Sequence, residues 1–468
     1  MAQIADMQDF RGAGPPGDTG IYQMPCSVLV FQFTFSGTTY TAAIRAGDRG
    51  WVLVTPASTD ASTVIQAAIN YLGTDGGLIF FKPALYVLSA GLTIIEDNVH
   101  LQGHGWGWER PRLGLDAGID AHLLTITGKY GCLRNLFFSN NYVANRDVIR
   151  LEAAAGWHLQ DLIVSGAGRD GVSLTTCNDI MVDTVLSENH ARNDFYNYNG
   201  YSITFQKCTA WSYGSTGWHG FVVEGGGAGL DVPREISFIN CRSGPHARYG
   251  MYFYNWDATQ GRITVIGGWV HGNIFDGIRI LGASRITIIG TQIWDNGLSG
   301  DNTYDGIRIA SLAIHSTYNK IELCQIFSTG GTRMRYGIYE DNANQDYNSF
   351  LGNSFSGLAT SGINRAGANT KVAHNIGHVT ENVVLSPPFA IDGVATVTVT
   401  IPHGLAITPA IQDCSLTVLE NTNVDDWGYN LVKVDSVGAV NVVAKVNVSV
   451  ASATVGATAY LSLRVGKA

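Results

Sequence analysis

At 468 residues the chain is longer than one ordinary domain and predicts two or three units. Its 10% aromatic and 14% charged residues, with 56 glycines, are a sheet-and-turn composition that excludes a disordered chain. A net charge of -9 with no basic cluster along the sequence argues against a nucleic-acid partner, because phosphate binding needs concentrated Lys and Arg.

Met1-Ala2-Gln3-Ile4-Ala5-Asp6 has neither the basic start nor the apolar run of a signal peptide, so the expectation is synthesis in a cytoplasm without a secretion address. Gly14-Pro15-Pro16-Gly17-Asp18-Thr19-Gly20 falls in collagen phase but is too short to hold a triple helix; it reads as a linker that would suit a threefold assembly. Val28 to Phe35 and Tyr40 to Val54 alternate as strands of a small N-terminal sheet. These apolar runs are too short for a membrane-crossing helix, and no membrane partner is expected. Thr59-Asp60 then caps a helix with Val64, Ile65, Ala68, Ile69 and Leu72 on one side, ending at Gly73. Such a helix can plug the open end of a stack of strands.

The segment Gly76 to Pro83 follows, a glycine pair, an apolar strand and a proline turn, then Tyr86 to Leu88 and Leu92 to Ile95 before Val99 to Gly103. Between residues 170 and 365 a turn residue, a glycine and an alternating strand recur seven times, at Asp170-Gly171, His219-Gly220, Tyr249-Gly250, Asp276-Gly277, Asp305-Gly306, Tyr336-Gly337 and Ser361-Gly362. Successive glycines from Gly220 lie 30, 27, 29, 31 and 25 positions apart, and Gly171 to Gly220 leaves room for two steps. A second β-branched strand follows several of these glycines, as in Ile236 to Cys241, Ile263 to Gly268 and Ile286 to Thr291, with no room for a crossover helix. One coil of a parallel β-helix per repeat accounts for this. A β-propeller needs blades of about 40 residues or more.

The seven cysteines have no CxxC spacing, and Cys208, Cys241 and Cys324 close the second strand in three coils as small buried hydrophobes. From His378 the period is lost. Val394 to Ile401, Ser415 to Val418, Val440 to Val448 and Tyr460 to Val465 are longer alternating strands, read as an antiparallel β-sandwich beyond a Pro387-Pro388 hinge. The organisation expected is residues 1–55 as an attachment region, 56–377 as the β-helix and 378–468 as the sandwich.

The helix segment IQAAIN (Ile65 to Asn70), a glycine pair, an apolar strand, a proline turn and the G-L-T-I strand (Gly91 to Ile94) resemble the opening of pectate-lyase-like right-handed parallel β-helix proteins. The resemblance covers residues 56 to about 377. That superfamily includes polysaccharide lyases, galacturonidase-type hydrolases, inulin fructotransferases and bacteriophage tailspikes. A β-helix followed by a sandwich is similar in layout to the tailspikes, whose last domain implies assembly as a homotrimer or contact with a receptor or glycan.

No Walker loop, HExxH, GxSxG or dinucleotide fingerprint appears, so chemistry must come from dispersed groups on the solenoid face. Strand alternation points the second and fourth residues after each glycine outward. The second column holds Tyr252, Arg279 and Arg308, and the fourth holds Glu224 and Tyr254, with Trp218, Trp256 and other rings in the loops. Aromatic faces on a rigid groove are how sugar rings are held. Glycosidic hydrolysis needs two carboxyls, about 5–5.5 Å apart for retention or roughly 6.5–9.5 Å for inversion. Coils stack about 4.8 Å apart, so the leading pair is Glu224 with Asp257, with Asp231, Glu188 and Asp194 in reserve. Bland alternatives stand beside these: solvated surface acids, Arg279 and Arg308 pairing with acids, a tyrosine column at a subunit contact, and turn geometry for Asp170, Asp276 and Asp305. The histidines lack metal-ligand spacing, and neither a cofactor nor a metal is expected.

The reading is a tailspike-like protein of a virion tail that binds and hydrolyses a bacterial surface polysaccharide, capsule, O-antigen or exopolysaccharide, with other tail proteins met through the N-terminus. The alternatives are a free lyase or fructotransferase of the same fold, extracellular if a leader were trimmed, and a receptor-binding spike without turnover.

Overall fold

The computed structural model describes residues 28–378 except 48–49, 106, 143–144, 213–216, 227–232, 257–260, 312 and 332–333, and beyond 378 the backbone of strands between Glu381 and Gly466. The expected linker around Gly14 and the Pro387-Pro388 hinge lie outside the described residues. Strands wind into a parallel β-helix of about 11 turns, three strands to a coil, and so build three parallel sheets. The chain divides into two units, Met1–Val172 with Cys177–Val185 and Ser173–Thr176 with Leu186–Ala468. Among the described residues no helix is long and apolar enough to cross a membrane.

In the first unit the expected N-terminal strands form an antiparallel part that continues the first sheet of the solenoid. Val28–Phe35 pairs antiparallel with Thr38–Gly47 on one side and parallel with Gly77–Phe81 on the other. The helix Ala61–Leu72 forms as expected. Asp60 accepts the N–H groups of Ser62 (3.0 Å) and Thr63 (3.4 Å), and Gly73 ends it at φ 51°. Its buried side, Val64, Ile65, Ala68, Ile69 and Leu72, covers the first coil. The Gln66 side chain donates to the Thr93 carbonyl and accepts its N–H, each at 2.9 Å, pinning the helix to the strand Leu92–Ile94.

In the second unit like side chains stack coil on coil. Phe195 lies 4.7 Å from Phe221 and Phe205 4.9 Å from Phe238, both pairs stacked with nearly parallel planes, and Cys208, Cys241 and Cys324 are buried free thiols as expected. Polar corners are built of stacked asparagines, with Asn273 Nδ2 donating to Asn296 Oδ1 at 2.7 Å. The recurring glycine is needed for close approach: a Cβ at Gly250 would meet Val270 at 2.3 Å. The aspartate before it does more than favour a turn. Asp276 Oδ1 accepts the Asp305 N–H of the next coil (2.9 Å) and Asp305 Oδ1 that of Tyr336 (3.2 Å). Beyond the solenoid, antiparallel strands form a four-stranded sheet, including Cys414–Thr422 and Thr458–Gly466, and a three-stranded one of Thr396–Pro402, Asn441–Ser449 and Gly428–Val437.

Candidate functional site

The outer face of the third sheet, in the second unit, gathers most of the residues selected from the sequence. Its parallel strands include Asn193–Tyr198, His219–Glu224, Tyr249–Tyr254, Ile278–Leu281, Ile307–Ala310 and Tyr336–Glu340. Apolar residues such as Phe221, Met251 and Ile278 point in because strand side chains alternate, and the register fixes what points out. One outward column runs Tyr196, Val222, Tyr252, Arg279, Arg308, Tyr339 and its neighbour runs Tyr198, Glu224, Tyr254, Leu281, Ala310.

Glu224 is the centre of the first cluster. The Tyr196 hydroxyl donates to its Oε2 at 2.6 Å, and Tyr254 hydrogen-bonds it from the next coil. Burial first, and that hydrogen bond second, raise the Tyr254 phenol far above its ordinary value, which keeps it a proton donor. Tyr252 stacks on Tyr254 at 4.6 Å, and burial pushes its phenol up to about 12. Beside them the His219 ring lies 5.1 Å from both Tyr249 and Tyr252. His219 Nδ1 accepts the Tyr249 N–H (3.4 Å), and burial, then the charge of Arg248, hold its pKa well below the usual histidine range. Trp218 is 44% exposed at the rim, with the Arg248 guanidinium 4.3 Å from its ring centroid.

Further along, Arg279 and Arg308 are engaged with acids. Arg279 pairs with Asp276 (3.3 Å) and lies 3.9 Å from Asp341, while Arg308 pairs with Asp341 at 2.8 Å. Their charge is thus largely balanced within the protein. Burial, then the charge of Asp305, raises Asp276 to about 6.

Three selections need correction. Trp256 is fully buried and donates its indole N–H to the Ser284 carbonyl (3.0 Å), so it is core and offers no platform. Asp194 is 1% exposed. Its Oδ2 lies 2.9 Å from His246 Nε2 inside the corner between the second and third sheets, and burial pushes it up to about 6. Glu188 points outward from the second sheet, opposite Trp211 in register, on a different face from Glu224; burial, then Asp194, raises its carboxyl. Asp257 and Asp231 lie outside the described residues.

Tyr249 and His219 were missed as members of the site, and Tyr196 was counted only among the rings of the loops. Tyr196 escaped because its coil lacks the marker glycine: Asn193 pairs with His219, so Asp194 stands where Gly220 stands one coil later. Aligning Asn193-Asp194-Phe195 with His219-Gly220-Phe221 by strand alternation alone would have found it.

No protein-family model matches the chain, and no curated protein does. Solved structures do. The A-module of mannuronan C-5 epimerase AlgE6 from Azotobacter vinelandii matches with 21% identity over 68% of this chain and 95% of that one, TM-score 0.54. The AlgE4 A-module of the same organism matches with 20% identity over 67% and 96%, TM-score 0.51. The enzymatically active domain of tailspike protein 2 of bacteriophage CBA120 matches with 10% identity over 100% and 84%, TM-score 0.54. The chain has the right-handed parallel β-helix fold of these proteins.

Proposed function

We propose that the outer face of the third sheet binds a polysaccharide and hydrolyses it, and that the protein is a tailspike-like depolymerase acting as a homotrimer in a virion tail. The observation that carries the catalytic part is Glu224, a carboxylate held by two phenol donors among half-buried rings on a rigid sheet. Rings supply apolar contact with sugar faces, and the hydroxyls supply edge hydrogen bonds. The names of the similar structures, a mannuronan epimerase and an enzymatically active tailspike domain, agree with a sugar-chain ligand.

In this reading the acid, assigned to Asp257 with Asp231 in reserve, protonates the departing glycosidic oxygen. Glu224 takes a proton from the water that attacks the anomeric carbon. Glu224 stands as the acceptor of two phenol hydrogen bonds, and the reading gives it the base role. Among the described residues no carboxyl stands next to Glu224 in the register, since its column neighbours are Tyr198 and Tyr254. Asp341, four strands on in the same column, is about 19 Å away at strand spacing, outside the working range of a carboxyl pair.

A glycan array followed by mass analysis of products tests the reading. Glu224→Gln is expected to keep binding the selected glycan while turnover falls about 10²–10⁴-fold. Products carrying one added water identify hydrolysis, and an ultraviolet-absorbing unsaturated end would instead identify a lyase. A receptor-binding spike without turnover is the second reading, favoured by the internal pairing of Arg279 and Arg308. It requires that wild type release no product from any glycan it binds.

A further inference from the structure

The outer face of the first sheet carries a second, separate feature. Arg262, Arg285 and Lys320 line a depression of about 340 Å³ together with Thr264, Thr287 and Tyr318. The register explains their proximity: Ile263 pairs with Ile286 and Thr264 with Thr287, so Arg262 and Arg285 flank equivalent positions, and Thr287 pairs with Lys320 in the following coil. Like charges on adjacent strands repel. In a chain with net charge -9 such cations would be expected to find acids. Yet among the described residues none of the three forms an ion pair, and Glu235 and Glu322, on the same face, form none with them. Tyr318 stacks on Tyr347 at 5.3 Å on the rim, with about half of each side chain exposed.

The geometry points to a binding site for a carboxylate-bearing sugar chain on this face, distinct from the third-sheet site. Two guanidinium forks and an ammonium that form no ion pair among the described residues fit a sugar carboxylate, the threonine hydroxyls fit ring hydroxyls, and the Tyr318 ring offers apolar contact. The choice of a sugar chain rests on the polysaccharide reading above; the anion site rests on these cations alone. Such a site would hold an acidic polymer while another stretch of it is worked on elsewhere, adding avidity without new chemistry.

Titration calorimetry with a polyuronate hexasaccharide, a neutral hexasaccharide and tripolyphosphate tests this on wild type, Arg262→Ala/Arg285→Ala and Arg285→Lys. The polyuronate is expected to bind wild type and to weaken with salt. It should lose about tenfold or more in the double alanine variant and retain most affinity in Arg285→Lys. Equal polyuronate affinity in wild type and the double alanine variant overturns the site and leaves the third-sheet reading untouched. Tripolyphosphate binding as tightly, with the same loss in the variant, overturns the assignment to a sugar chain. Failure of the polyuronate to bind wild type overturns the inference, while the third-sheet reading is judged separately by turnover of its own glycan.

Discussion

Asp194 and Glu224 lie in neighbouring coils and end in opposite surroundings. Glu224 faces outward among phenols, whereas Asp194 turns into the corner toward His246. The asparagine ladder sets that second arrangement: Asn273 Nδ2 donates to Asn296, so its Oδ1 accepts from His246 Nδ1 (3.0 Å) and leaves Nε2 to share a proton with Asp194. Burial raises the Asp194 carboxyl to about 6, above its ordinary 3.8. A carboxyl raised on folding favours the fold in its protonated form. Its contribution is full below about pH 4 and is lost as the pH rises through about 6. Thermal unfolding of wild type and Asp194→Asn across pH 4 to 8 checks this: the variant should gain on wild type as pH rises, and parallel curves would count against it. Trp256 and Trp218 make a second contrast. Trp256→Ala should cost about 3–5 kcal/mol in urea unfolding because it empties a core position. Trp218→Ala should stay within about 0.5 kcal/mol, its effect falling on sugar affinity.

A coil is a strand triplet whose corners must close, and the corner explains both the glycine marker and its failure. At Gly250 a Cβ would strike Val270 at 2.3 Å, so Gly250→Ala should cost about 1–3 kcal/mol, read by chemical denaturation. Where Asp194 replaces glycine, its side chain is absorbed by His246, and the periodic signal drops out of a coil that exists. The β-helix and the inward and outward columns were legible because alternation and a near-constant period survive without knowledge of the corners. The second sheet was not. Strands such as Thr209–Trp211 and Gln292–Trp294 have three residues each, too few to show a period. That is why Glu188 was grouped with the wrong face. Trp256 was misjudged for a related reason: one residue past a left-handed Asn255 (φ 74°), the chain has left the alternation that sorted its strand. The basic depression was invisible because Arg262, Arg285 and Lys320 are brought together only by coil stacking.

For the whole molecule the consequence of a solenoid is a division of labour among faces. Interior columns supply stability coil by coil, and outward columns are free to differ without disturbing the stack. The third-sheet face collects phenols, a carboxylate and paired charges, and the first-sheet face cations that form no ion pair among the described residues. The central claim, that sugar is held and cut at Glu224, is tested most directly by a crystal structure of Glu224→Gln with an oligosaccharide of the glycan it selects. The account predicts a sugar ring against Tyr252 and Tyr254 with its scissile oxygen and a water beside residue 224. Oligosaccharide bound only on another face, with Glu224→Gln still turning over glycan at the wild-type rate, would contradict it.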